Sequence, residues 1–294
     1  MSRWVGDKAS EIIGQRGENA LRWLERVDGV VENFARERGY TLVEVMEGGT
    51  VNAVVRAFSA DGEEIVIKAA MSERAVRDEV KFLRELGRDM APRVLSYEGF
   101  CVAMEYVDGL GEYTMELGAE ALARLSSRTM VLDGSTYMNA DITGQYDRAI
   151  DRLGSGERAR VDEYARVWEI VGGVIEEALW ERRCVVHGDL WRSNILVGEG
   201  GAKFIDPSPR MAAKGYDIGY WASDPSDAGT VGARLGLACQ LAGVNFVEGL
   251  AFAAHFAGHH LGWWERYRGG EDLEAARVRF DETMLLTREV FLGH

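Results

Sequence analysis

The stretch CVVHGDLWRSNILV, residues 184–197, constrains this chain more than any other. Cys184-Val185-Val186 and Ile195-Leu196-Val197 are short apolar runs of the kind that become buried strands. Between them stand His187, Asp189 and Asn194, three polar side chains crowded into eight residues. Burying an unpartnered polar group is unfavourable, so a fold that buries both flanks must pin the intervening loop and use its polar groups. Gly198–Gly201 reads as a turn, which sets Ile195–Val197 alongside Ala202–Ile205 and brings Asn194 and Asp206 to the same end of a hairpin.

The polar spacing H-x-D-x-x-x-x-N is that of a protein kinase catalytic loop, in which the Asp accepts the proton of the substrate hydroxyl and the Asn helps hold magnesium. A further Asp after the next short strand, here Asp206, supplies the second metal ligand. Magnesium prefers hard oxygen donors, and a carboxylate and an amide suit it. His187 is read as support for the loop backbone. Taken singly, these residues could be loop caps; their combination points to phosphoryl transfer.

The same chemistry needs a cation on the triphosphate. EEIVIKAA places Lys68 at the end of an apolar strand, and the helix that follows offers Glu79 as its partner, with Glu73 as the rival. The alternative for Lys68 is an exposed strand lysine. Gly48 and Gly49, in the turn EGGTVN, could offer backbone N–H groups to phosphates. MEYVDG, ending the fifth strand, makes the backbone of Glu105 to Val107 the candidate partner of adenine.

Around these residues the hydrophobic period changes along the chain. Residues 8–26 and 29–38 have helical spacing, with Gly39 as a stop. Strands are expected at about 41–47, 51–58 and 63–69, joined at Gly48-Gly49 and Asp61-Gly62. A helix follows at 72–86, with Ser72 as N-cap, then strands at 93–97 and 101–106. Helices are expected near 116–130 and 156–182 and from about 217 onward, with a polar loop at 131–147. The expected architecture is α+β: residues 1–106 carry a small antiparallel sheet with one inserted helix, and residues 107–294 are mainly helical. The length of 294 residues suits two lobes.

Composition excludes several classes. A formal charge of −14 argues against nucleic acid and anionic membranes as partners. It permits a cationic small molecule, although acidity also serves solubility alone. No apolar run approaches the roughly 18 residues of a membrane span, and the N-terminus lacks a signal-peptide core, so a cytoplasmic location is expected. Cys101, Cys184 and Cys239 form no C-x-x-C pair and are expected to be buried thiols.

HGDLWRSNIL, FIDPSP and KGYDIGYWA together resemble the aminoglycoside phosphotransferase-like kinases, over roughly residues 40–290. The nearest branch by these motifs is the streptomycin 6-kinase and hydroxyurea phosphotransferase group, and HGDLWRSN also resembles the fructosamine kinases. The resemblance implies a two-lobed protein-kinase-like fold and transfer of the γ-phosphate of ATP to a hydroxyl of a small molecule, with Mg2+ as cofactor. It implies Asp189 as base, Asn194 and Asp206 as metal ligands, Lys68 on the α and β phosphates, and Asp217 as a brace for the catalytic loop. Two departures are the N-terminal forty residues and the Pro-Ser-Pro after Asp206.

An antibiotic acceptor conferring resistance is the leading expectation. The alternatives are a metabolic kinase for a sugar, a sugar–amine adduct or an amino alcohol, and a nucleotide-binding module without catalysis. Substrate contacts are expected from Trp191, Arg192, Trp221, Asp224, Trp264 and Glu265, with Asp227, Trp263 and Tyr267 nearby; the aromatic faces and carboxylates would suit a cation. For each tryptophan the ordinary alternative is a place in the core. His255, His259 and His260 are expected to pack a helix face rather than bind metal.

Overall fold

The computed structural model describes residues 3–5, 9–46, 52–109, 111–129, 132, 136–154, 157–181, 183–198, 200–267 and 270–293. Two compact units are present, Met1–Leu110 with Gly198–Ile205, and Gly111–Val197 with Asp206–His294.

The first unit opens with helices α1 (Ala9–Arg16), α2 (Glu18–Leu24) and α3 (Val27–Arg38). The single helix expected over 8–26 is broken at Gly17, whose φ of 57° interrupts the helical backbone. Helix α3 ends as expected at Gly39, which takes the left-handed conformation. Strands β1 (Thr41–Val45), β2 (Ala53–Phe58), β3 (Glu64–Ala69), β4 (Val94–Glu98) and β5 (Cys101–Glu105) form one sheet in the order β1-β2-β3-β5-β4. Every pairing is antiparallel. Helix α4 (Glu73–Leu86) lies between β3 and β4 in the chain, and the Ser72 hydroxyl caps it by accepting from Ala75 N.

Side-chain alternation decides what each face of this sheet does. Ala53, Val55, Ala57, Ile65, Ile67, Ala69, Cys101 and Ala103 share a core with Trp23, Val27, Val31 and Phe34 of the N-terminal helices. Lys68 has the opposite parity, flanked across the strands by Val54 and Val102, and so belongs to the face covered by α4. Strand β8 (Gly201–Phe204) completes the unit, tied by the Phe204 N–H donating to Met90 O at 2.8 Å.

The second unit is mainly helical. Its elements are α5 (Met115–Thr129), α6 (Ile142–Leu153), α7 (Arg158–Glu181), β6 (Arg183–Val186), β7 (Ile195–Gly198), β9 (Arg210–Ala213), α8 (Gly215–Ala222), α9 (Val231–Ala242), α10 (Phe246–Tyr267) and α11 (Gly270–Leu292). The polar stretch 131–147 is not a loop throughout. Its last part enters α6, whose N-terminus is capped by Asp141 accepting from Gly144 N. Strands β6 and β9 pair antiparallel, so the apolar run before His187 is buried by a partner that sequence reading did not supply. Helix α10 forms the centre of the unit, and every residue of α8 is buried. The two helices pack so closely that a Cβ on Gly219 would lie 2.5 Å from Ala253 N.

Candidate active site

Each unit carries its own set of candidate residues. In the first, the Lys68 ammonium donates to Glu79 Oε2 at 2.7 Å. The two side chains are only 7% and 3% exposed. The helical spacing of α4 turns Val76, Glu79, Val80 and Leu83 inward together, which is why Glu79 meets the lysine while Glu73, in the first turn, is exposed. Glu105 is bonded to Lys203 and lies 3.9 Å from Arg93. The N–H groups of Glu105 and Tyr106 donate to Arg93 O and Glu64 O. Val107 stands two residues beyond the end of β5. Gly48 and Gly49 lie outside the described residues.

In the second unit the catalytic-loop motif follows β6. Gly188 sits at φ 82°, and a Cβ there would run into the Ser208 carbonyl, so only glycine fits. Asp217, in α8, accepts from His187 N at 2.7 Å and from Gly188 N at 3.0 Å. Burial raises its carboxyl to about 6, against the lowering effect of those two N–H donors. The carboxylate thereby holds the loop's turn in place, and Ser208 N donates to His187 O from the other side. His187 is wholly buried.

Asn194 ends a 3-10 turn, Arg192–Asn194, and its Nδ2 donates to the backbone carbonyl of Asp189 at 2.8 Å. The structure thus brings Asp189 and Asn194 together. With the amide nitrogen committed, the donor left to a cation is the hard Oδ1. Asp206 is the single non-glycine residue with positive φ, 55°, among the described residues. A non-glycine side chain in this region is sterically disfavoured, and such outliers cluster where geometry serves function. An amide oxygen and a carboxylate are the donor chemistry Mg2+ takes, so the residues present fit that ion.

Tyr220 is the contact that sequence reading missed. Its hydroxyl donates to Asp189 Oδ1 at 2.7 Å. A signal for it exists in GYDIGYWA: Asp217 and Tyr220 stand three apart on α8 and therefore share a face. Both reach the same loop.

The expected substrate contacts divide. Trp191 is half-buried and packs on His260, Trp263 and Trp264 at ring-centroid distances of 4.3, 6.1 and 6.3 Å. Trp264 is half-buried as well. Arg192 lies over the Tyr113 ring at 3.7 Å. Trp221 and Asp224 are fully buried, which corrects their expected role as substrate contacts. Trp221 donates to the Tyr113 hydroxyl, and Asp224 accepts from the N–H groups of Arg192 and Ser226. Asp227 pairs with buried Arg234, and Glu265 with Arg277. Asp224 and Asp227 are spent on internal donors, because a buried cation or N–H group needs a partner, whereas the Glu265–Arg277 pair is partly exposed.

His255 and His260 of α10 are buried and His259 is half-buried, and desolvation lowers the basicity of all three, His255 to about 3 and His260 to about 4. Among the described residues no group of His, Cys, Asp and Glu forms a metal cluster. The cysteines are free and buried. Among the described residues no helix is long and apolar enough to cross a membrane.

The sequence profile described as "Phosphotransferase enzyme family" (APH) matches residues 43–211, more than half of the chain. The chain belongs to the phosphotransferase enzyme family. It is accordingly a phosphotransferase with an alcohol group as acceptor. No curated protein matches the sequence. Among solved structures it is similar to a thermostable mutant of the aminoglycoside phosphotransferase APH(4)-Ia, with 13% identity and a TM-score of 0.64 over 87% of this chain and 98% of the other. It is similar to the choline kinase of Cryptosporidium parvum, with 12% identity and a TM-score of 0.61 over 90% and 96% of the two chains. It is also similar to a structure assigned as a fructosamine-3-kinase from Thermobifida fusca, with 19% identity and a TM-score of 0.58 over 88% and 98%. At these identities the likeness is one of fold, and the fold is the protein-kinase-like α+β fold that the sequence implied.

Proposed function

We propose that this phosphotransferase is an ATP-dependent small-molecule kinase, with Asp189 as the base toward the acceptor hydroxyl. The observation that carries the reading is the braced loop: Asp217 holds its turn, and Asn194 is tied to the Asp189 backbone. Phosphoryl transfer relies on positioning and charge neutralisation more than on covalent chemistry, and this loop supplies positioning.

The acceptor hydroxyl gives its proton to the Asp189 carboxylate as its oxygen bonds the γ-phosphorus. The bond from that phosphorus to the β,γ-bridging oxygen breaks, and ADP leaves. Lys68, paired with Glu79, binds the α and β phosphates. Asn194 Oδ1 and the Asp206 carboxylate would hold Mg2+, which when bound neutralises phosphate charge. The backbone at Glu105 to Val107 is assigned to adenine.

For the acceptor, the reading is an aminoglycoside-type or related antibiotic, in the direction of the streptomycin and hydroxyurea phosphotransferases whose motifs this sequence resembles. The fold shared with an aminoglycoside phosphotransferase supports it, and the charge of −14 favours a cation. A metabolic kinase for a sugar–amine adduct or amino alcohol is the second reading. It is supported by the fold shared with structures described as a fructosamine-3-kinase and a choline kinase.

A coupled ADP-release assay over aminoglycosides, tuberactinomycin-type peptides, hydroxyurea, glycated amines and choline tests both readings, with mass spectrometry to find the added phosphoryl group. Turnover should require Mg2+ and vanish in Asp189→Ala while nucleotide binding persists. Full activity in that variant would remove Asp189 from the role.

A further inference from the structure

We propose that Tyr220 is the positioning residue for Asp189, holding its carboxylate in the orientation from which it takes the acceptor's proton. The inference rests on the reading of Asp189 as the base. Its hydrogen bond runs from the Tyr220 hydroxyl to Asp189 Oδ1, at 2.7 Å.

A carboxylate at the end of a short side chain has a broad torsional well about its last bond. A base that must meet a hydroxyl at hydrogen-bond distance works only in part of that well. A fixed donor on one oxygen narrows the range without touching the substrate. Tyr220 is suited to this because its own ring is buried and packed by other rings. It packs against Phe256 at 4.6 Å and edge-on to His260 at 4.7 Å and to Trp191 at 5.5 Å. His260 is in turn held by the Ser223 carbonyl, 3.1 Å from its Nδ1.

The phenol also keeps its proton. Burial, with the Asp189 charge second, pushes Tyr220 well above the usual tyrosine range, so the hydroxyl donates. Three residues away on the same helix, Asp217 accepts from the backbone of the same loop. One rigid helix therefore sets both the main chain of the loop and the side chain of its aspartate.

The test is Tyr220→Phe, which removes the hydroxyl and keeps the ring. With an acceptor identified in the ADP-release assay, kcat should fall about tenfold, the loss of ~1.4 kcal/mol in the transition state. KM for both substrates should stay within about twofold and Tm within about 2 °C, changes that a general loosening of the unit would exceed. A crystal structure of the variant should show the Asp189 carboxylate rotated or spread over more than one orientation. Unchanged kcat, or a loss carried by KM, would overturn the proposal. If the wild-type protein phosphorylates no acceptor, the kinase reading fails separately. The crystallographic comparison then decides alone: an Asp189 carboxylate unmoved in the variant rejects the positioning role, and a displaced one supports it.

Discussion

The side-chain amide of Asn194 donates to the backbone carbonyl of Asp189 across 2.8 Å, so the proposed metal ligand also fixes the main chain of the proposed base. The nitrogen does one task and leaves the oxygen for the other. Asn194→Asp would turn an oxygen toward that carbonyl, setting acceptor against acceptor. The expected outcome is a fall in kcat of roughly 10- to 100-fold, from an unmet, partly buried carbonyl worth about 1–3 kcal/mol. Steady-state kinetics across a magnesium titration checks it, and recovery of full kcat at high magnesium would argue against the backbone tie.

Lys68 and Glu79 form a buried pair, and removing one member strands the other. Glu79→Ala should destabilise the protein by about 3–5 kcal/mol, and Lys68→Ala by a similar amount. Replacing both with apolar residues of similar volume, Lys68→Met with Glu79→Leu, should restore most of the stability. If Lys68 holds the triphosphate, that double variant folds yet binds nucleotide weakly. Thermal melting and nucleotide titration separate the two effects, and tight nucleotide binding by the double variant would end the assignment.

Gly188 carries its own prediction. Its φ of 82° and the Ser208 carbonyl behind it leave no room for a Cβ. Gly188→Ala should cost roughly 1–3 kcal/mol in backbone strain alone and displace the loop that carries Asp189. Melting temperature and kcat should therefore fall together, with kcat the more sensitive.

Stability should fall on acidification. His255 and His260 titrate near 3 and 4 in the fold, below their ordinary value of 6.5, and His259 is also lowered. A lowered histidine contributes stability that is present above pH 6.5 and is lost as pH falls toward the folded value. Asp217 opposes this: raised from 3.8 to about 6, it contributes stability below 3.8 that is lost as pH rises through 6. Three histidines outweigh one aspartate, and each net proton changes stability by up to about 1.4 kcal/mol per pH unit. Urea denaturation between pH 7 and 5 should show the midpoint falling, with a shallower fall in His255→Gln. A flat profile would contradict neutral histidines at 255 and 260.

Much of the fold was legible because its signals are local. Apolar runs bounded by turn residues marked the five strands of the large sheet, and its mid-helix place marked Glu79 rather than Glu73 as the partner of Lys68. The break at Gly17 was missed because periodicity averages over a single glycine. The start of α6 was missed because residues 136–141 look like a loop, and Asp141 caps the helix from within that polar stretch. Substrate contacts were the least legible. Trp221 and Asp224 carry the residue types of a binding site, yet the Tyr113 hydroxyl and the Arg192 N–H claim them from distant parts of the chain.

The order of residues alone marked most of the strands and helices, the candidate Lys68, Asp189, Asn194 and Asp206, and the family, since each follows from spacing along the chain. Tertiary structure alone decided which polar groups are consumed inside and which hold the loop. Tyr220 meets Asp189 across 31 residues, Asp217 meets His187 across 30, and Arg234 is buried beside Asp227. A buried polar group takes whatever partner packing brings within about 3 Å, and no local period encodes which residue that is.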